Sequence, residues 1–297
     1  MSLAEQLQIA RVLSWTAIAT VVGGFVFVAA LWPAGANVRR TQQLLIGSWV
    51  GGAVSIVLSF VVSAAQATGV SVGQAMSARL LREFAGSTAG AGGVARILLW
   101  LFALVVVLQL RQHGEDAARS LGWRVGALAV GFGLSRAVSL GDDHDNWYVT
   151  TAAVVHVAGM VMWVGGLVVL CVVLLPRRRA DELAAVLPGW ARLARTSVGL
   201  IVIGGLVLAW GHLGGVSPLF TSPYGRLLIV KLGLVAGMVG AAYLSKTWVE
   251  HRLRLAVVLD GDRETVQPLM LSVGLEVAFA VPVLVVAAGL LAGHPPA

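Results

Sequence analysis

Apolar residues occur along this chain in long runs, and short polar breaks separate each run from the next. A helix needs about 20 mostly apolar residues to cross a bilayer core. We predict membrane-spanning helices in eight runs, at residues 11–32, 44–66, 94–110, 120–138, 149–175, 193–212, 224–247 and 270–292. The pattern predicts an all-α polytopic membrane helix bundle, one integral unit with a four-helix N-terminal portion (1–138) and a four-helix C-terminal portion (139–297).

Arginines in the polar breaks predict how these helices are oriented. The first, third, fifth and seventh breaks hold most of them: Arg39, Arg40, Arg111, Arg119, Arg177, Arg178, Arg179, Arg252, Arg254 and Arg263. The second break holds Arg79 and Arg82, the fourth is acidic and the sixth is uncharged. Cytoplasmic loops carry the excess of Lys and Arg in membrane proteins. We therefore expect the odd breaks inside and both termini outside.

The composition excludes several classes of protein. The chain is 58% hydrophobic and 12% charged, which is too apolar for a soluble globular enzyme. The net charge of +7 comes from bases in the loops and not from one basic face, so we expect a lipid bilayer around the chain and no nucleic acid. One cysteine excludes an intrachain disulfide framework. No nucleophile, phosphate-loop or zinc-protease motif is present, and we expect no enzyme activity.

Tryptophan and glycine are placed as expected in a tightly packed membrane bundle. Five tryptophans fall near predicted span ends, where interfacial aromatic side chains are enriched: Trp15, Trp32, Trp49, Trp147 and Trp248. Glycine pairs recur within the spans at 23–24, 51–52, 165–166 and 204–205, and small residues let helix backbones approach closely. Between the second and third spans, residues 67–90 have apolar positions at helical spacing, which predicts an amphipathic helix on the outer surface.

His156 is the clearest candidate for chemistry inside the membrane. It lies about eight residues into the fifth span, roughly 12 Å from its outer end. Met160 follows one turn later on the same helical face. An imidazole beside a thioether suits a soft or borderline cation, copper above all. The alternative is a histidine hydrogen-bonded to a neighbouring helix, with methionine as packing filler.

Histidines and acids also gather toward the outer side. Asp142, Asp143 and His144 are adjacent in the fourth break, and His212 ends the sixth span. Such a run can attract a cation by its charge and bind it through its side chains. The alternative is an ordinary solvated loop. Deeper in the bilayer, Lys231 and Glu276 occupy the seventh and eighth spans, and ionisable residues there face the bundle interior.

Three sequence segments resemble the CopD family of bacterial copper-resistance membrane proteins. The first runs from His156 through Met160 and Trp163 to the glycine pair at 165–166. The second, from Thr221 to Lys231, is similar to the family's Tyr-Gly-x-x-Leu-x-x-Lys segment, and the third is the chain's ending with Glu276. Members often carry Ser-Gly-His-Ala before the fifth span, where this chain has the stretch ending at His144. The family's residues correspond here to His156, Trp163, Gly165, Gly166, Tyr224, Gly225, Lys231 and Glu276.

The resemblance implies a bacterial inner-membrane protein that moves copper toward the cytoplasm, often alongside a periplasmic CopC-type copper-binding partner. In this hypothesis Asp142, Asp143 and His144 recruit copper with His212 nearby, and His156 and Met160 bind it within the bundle above Trp163. A protonated Lys231 has no lone pair and tunes the charge near the path. The sequence is compatible with copper as Cu(I) or as Cu(II). It is also compatible with a monomer or a homo-oligomer.

Two other hypotheses stay open from the sequence. A b-type haem protein that transfers electrons needs two histidines at similar depth across a bundle, and His212 is about 12 Å nearer the surface than His156. A subunit that binds copper and hands it to an oxidase, without transporting it, has the same sequence features as a permease.

Overall fold

A computed structural model describes residues 2–139, 146–177, 179–213, 215, 217–223, 225–230, 232–237 and 240, without the side chains of residues 139, 180 and 212. Every regular element in these residues is helical. The α helices are α1 (Leu3–Ala30), α2 (Arg39–Thr68), α3 (Val72–Ala75), α4 (Ala78–Ala85), α5 (Thr88–Arg119), α6 (Leu121–Ser139), α7 (Trp147–Val169), α8 (Ala180–Leu213) and α9 (Ser217–Thr221). A π-helical turn, Leu170–Leu174, and a 3-10 turn, Leu175–Arg177, continue α7.

Five of the described helical segments are long and apolar enough to cross a membrane: Leu3–Ala30, Arg39–Thr68, Thr88–Arg119, Trp147–Arg177 and Asp181–Gly211. They correspond to the predicted spans one, two, three, five and six. The fourth predicted span is the helix α6, which carries Arg124 and Arg136 in 19 residues. The eighth predicted span and parts of the seventh, including residues 241–247, lie outside the described residues. The total of eight and the outer position of the termini therefore stay predictions.

Side chains on the outer faces of these helices are apolar. Val54, Leu98, Phe132 and Ile203 are each at least 60% exposed. Helical hydroxyls in turn bond to carbonyls of their own helix, as Ser59 does with Ser55 at 2.7 Å and Thr20 with Thr16 at 2.8 Å. Both features suit a lipid environment, where water cannot satisfy polar groups. The described part of the chain is thus all-helical and has the apolar surface of a membrane protein.

The segment between α2 and α5 differs from the single amphipathic helix expected over 67–90. Two short helices, α3 and α4, occupy it, and Met76 lies between them with 64% of its surface exposed. Phe84 of α4 is buried and packs on Phe60 of α2 at 5.2 Å between ring centroids. The apolar face of the segment therefore covers protein, at least in part.

The chain divides into two compact units, each with more contacts within itself than with the other. The first comprises Met1–Gly166 and Gly189–Gly211, and the second comprises Leu167–Pro188 and His212–Ala297. The first unit holds His156 with the helices around it. In the second, Arg177 forms two 2.9 Å hydrogen bonds with the carboxylate of Glu182. These units do not test the predicted division into portions 1–138 and 139–297, which stays a prediction.

Candidate functional site

Glycines allow α7 and α8 to pack backbone against backbone. A Cβ atom placed on Gly159 would lie 2.9 Å from the carbonyl oxygen of Ser197, and one on Gly204 would lie 2.8 Å from that of Ala152. Separations below 3.0 Å leave no room for a side chain. This close approach, typical of small residues between membrane helices, brings backbone carbonyls of α8 within reach of side chains on α7.

His156 uses one of these carbonyls. Its Nδ1 atom lies 2.7 Å from the carbonyl oxygen of Ile201, and the residue is 8% exposed. Because a carbonyl oxygen only accepts, the short contact means that Nδ1 donates and that the lone pair of the neutral imidazole is on Nε2. A histidine that binds a metal is commonly oriented in this way, by donating its other N–H to a carbonyl.

Gly205 contacts the same imidazole from α8. A Cβ atom placed there would lie 3.2 Å from Cε1 and 3.3 Å from Nδ1 of His156. Any side chain would therefore press on the ring. The carbonyl of Ile201 and the bare backbone of Gly205 together hold the imidazole in one orientation.

Met160 and Trp163 lie further along α7. Met160 is half-buried, one helical turn from His156 on the same face. Trp163 is buried. An imidazole nitrogen and a thioether sulfur at adjacent turns are donors that copper accepts readily.

The glycine pair at 165–166 packs against two different helices. A Cβ atom on Gly165 would clash with the carbonyl oxygen of Ala19 in α1, and one on Gly166 would clash with the ring of Trp190 in α8. The pair therefore holds α7 close to both neighbours. The sequence-based expectation of tight helix packing at this pair is confirmed.

In the second unit, Gly225 follows α9. A Cβ atom at Gly225 would clash with the carbonyl oxygens of Pro218 and Leu219, and its N–H donates to Ser222 Oγ at 2.9 Å. The glycine of the Tyr-Gly segment is thus required by the backbone around it. No role of this residue in binding follows from its position.

Several predicted site residues lie outside the described residues: Asp142, Asp143, His144, Tyr224, Lys231 and Glu276. His212 belongs to α8, but its side chain also lies outside what the structure describes. The outer recruitment site therefore stays a prediction. Among the described residues, no three His, Cys, Asp or Glu side chains come together to hold a metal ion. Within that part of the chain, the candidate site consists of His156, Met160 and the α8 backbone.

The comparison with protein families finds a match to CopD, described as copper resistance protein D, over residues 184–290. The chain is similar to the CopD family over these residues. The match contains Tyr224, Gly225, Lys231 and Glu276 of the resemblance, and it begins after the segment from His156 to Gly166. The family match therefore says nothing about the segment from His156 to Gly166, and any role of that segment rests on its geometry.

A curated relative extends the likeness beyond the family match. The chain is 26% identical over 268 residues to the copper transport protein CutJ of Bacillus subtilis (strain 168). The aligned region is 85% of this chain and 48% of CutJ, so the chain spans about half the length of that relative. No solved structure matches the chain significantly.

Proposed function

We propose that this protein handles copper in the bacterial inner membrane as a permease, passing the ion from the outer side toward the cytoplasm through His156 and Met160. The observation that carries the proposal is the hydrogen bond from His156 Nδ1 to the Ile201 carbonyl, because it directs the lone pair of a buried imidazole to Nε2. In this neutral tautomer Nδ1 carries the proton and Nε2 carries the lone pair, so Nε2 can bind a metal ion.

The comparisons support copper as the cargo. The family description names copper resistance, and the relative's name states copper transport. The chemistry of the residues agrees, since thioether and imidazole donors favour copper among the common first-row metals. The proposed function requires only that copper binds reversibly, and it includes no catalytic step.

The outer acids would act before the buried site. Asp142, Asp143 and His144 would collect copper by charge attraction, together with His212. A CopC-type protein is the partner we propose to deliver the ion there. Lys231, if protonated, would set the local charge and bind no copper.

Elemental mass spectrometry tests the buried site. Copper and iron per chain are measured on protein purified from cells supplied with both metals, for wild type and for His156→Asn. The asparagine amide can still donate to the Ile201 carbonyl but has no Nε2 ligand, so packing is largely kept. His113→Asn is the matched control, because His113 is exposed near the C-terminal end of α5. We expect about one copper per wild-type and control chain and a clear loss in His156→Asn.

Other results would redirect the proposal. Iron near one per chain, lost in His156→Asn, would favour a haem protein that transfers electrons. Copper bound by His156 but not carried into liposomes by the purified protein would indicate a subunit that hands copper to an oxidase. Unchanged copper content in a double His156→Asn, Met160→Leu variant would exclude this route altogether.

A further inference from the structure

Ser197 differs from other buried serines of the described helices. Ser14, Ser55, Ser59 and Ser135 each donate their hydroxyl to a carbonyl three or four residues earlier. Ser197 is fully buried, yet its Oγ has no hydrogen-bond partner within the described residues. A buried hydroxyl left without a partner is costly, so its place in the fold calls for an explanation.

The position of Ser197 is on the helix face that packs against α7. Residues 197, 201, 204 and 205 are separated by four, three and one positions, which places them on one side of α8. Ile201 and Gly205 contact His156, and the backbone oxygen of Ser197 faces Gly159. Ser197 therefore lies one helical turn along α8 from the residues that contact His156. This places it at the same height in the bundle as Met160 of α7.

We propose that the Ser197 hydroxyl is a third polar group of the copper path. This inference rests on the proposed function and refines it. Ser197 Oγ would hold a water molecule carried by the ion as copper passes between His156 Nε2 and the Met160 sulfur. A hydroxyl can both donate to and accept from such a water, which satisfies the buried oxygen without a bond to its own helix.

The chemistry of a serine suits passage better than storage. A neutral oxygen is a weak partner for copper compared with sulfur or imidazole. Conduction needs sites that bind firmly enough for entry and weakly enough for release. A thiolate at the same place would bind Cu(I) strongly and hold it. The identity of residue 197 is thus expected to affect binding and flux in opposite directions.

Three variants test this assignment. Ser197→Ala removes the oxygen, and Ser197→Cys replaces it with sulfur. Thr41→Val is the matched control, because Thr41 on α2 is the other fully buried hydroxyl without a partner in the described region. Cu(I) affinity is measured under a reductant by competition with a chromophoric chelator. Copper flux is measured in liposomes, and thermal unfolding is followed in detergent.

We expect Ser197→Ala to weaken Cu(I) binding about two- to tenfold, the effect of one hydrogen bond, with no loss of thermal stability. Ser197→Cys should bind Cu(I) more than about tenfold more tightly and pass it more slowly. Thr41→Val should match wild type in both copper measurements. This combination would support the assignment.

Different results overturn different statements. Wild-type Cu(I) affinity in both Ser197 variants, with binding lost in His156→Asn, would remove Ser197 from the path and leave the proposed function intact. A clear loss of thermal stability in Ser197→Ala would show that the hydroxyl has a protein partner, which also overturns the assignment. Unchanged binding in the double His156→Asn, Met160→Leu variant would instead overturn the proposed function itself.

Discussion

Gly23 of α1 and Gly165 of α7 meet backbone to backbone. A Cβ atom on Gly23 would lie 2.7 Å from the Cα atom of Gly165, and one on Gly165 would clash with the carbonyl oxygen of Ala19. Neither helix can carry a side chain at this crossing. The close packing of α7 on α1 therefore requires glycine at both positions.

Gly165→Ala should consequently destabilise the protein. The methyl group forces backbones apart, and overpacking of this kind costs about 1–3 kcal/mol. The control is Gly51→Ala on α2, because no atom lies within 4 Å of a Cβ placed there, and alanine at an open helical position stabilises by up to about 1 kcal/mol. Thermal unfolding in detergent compares the two. Equal unfolding temperatures for both variants would contradict this account of the crossing.

Hydropathy alone is enough to predict the five spans that the structure describes as long apolar helices, but it does not predict where these helices end. The apolar run predicts the third span at 94–110, whereas α5 runs over Thr88–Arg119. A helix continues wherever its backbone hydrogen bonds can form, so it extends past the apolar residues that face the lipid core. Apolar runs mark the lipid-facing part of a helix and not its caps.

The sequence predicts the residues that α7 contributes to the candidate site, but not those that α8 contributes. Spacing along α7 indicated His156 and Met160 as neighbours, but the group that orients His156 is the Ile201 carbonyl. Every residue has a carbonyl, so no side-chain pattern in the sixth span distinguishes Ile201. The sequence does not single out Ser197, because a serine in an apolar span usually bonds to its own helix. Its exceptional state is visible only once the hydrogen bonds are known.

Trp49, which the sequence places near the end of the second predicted span, makes a reciprocal contact with Trp100. Its Nε1 donates to the carbonyl oxygen of Trp100 at 2.8 Å, and Trp100 Nε1 donates to that of Trp49 at 2.9 Å. Trp100 is 2% exposed, and a Cβ on Gly52 would clash with its ring. The pair links α2 to α5 within the protein.

Substitutions at Trp100 should separate its hydrogen bond from its volume. Trp100→Phe removes the donor and one ring but keeps most of the aromatic packing, and it should cost at least about 1 kcal/mol. Trp100→Ala also leaves a cavity and should cost about 3–5 kcal/mol. Denaturant unfolding in mixed micelles measures both. If the phenylalanine variant is as unstable as the alanine variant, the hydrogen bond contributes more than the packing, contrary to this expectation.

Gly114 interrupts α5 near its end. Its φ of 53° lies in the left-handed region, and a Cβ there would clash with the side chain of Asn37, whose Oδ1 accepts from the Glu115 N–H at 3.1 Å. The ψ of Gly114, −126°, also lies far from the helical range. Gly114→Ala should therefore destabilise through both strain and collision, with the conformational part about 1–3 kcal/mol.

A double-mutant cycle separates these two causes. In an Asn37→Ala background the collision is removed, so the cost of Gly114→Ala should fall toward the conformational part alone. The free energy of unfolding of the four proteins provides the measurement. Additive effects of the two substitutions would show that the Asn37 side chain is not what constrains residue 114.

Gly205→Val tests whether the orientation of His156, and not only its presence, governs copper binding. The new side chain would press on the imidazole, since even a Cβ atom would approach Cε1 to 3.2 Å, and the ring must rotate or leave the Ile201 carbonyl. We expect Cu(I) binding to weaken about 10- to 100-fold, as is typical when a partner that orients a metal ligand is lost. Gly199→Val on the same helix is the control, because a Cβ there meets no atom within 4 Å. If the two valine variants bind Cu(I) equally well, His156 does not need its present orientation to act, and the hydrogen bond to Ile201 is a packing feature only.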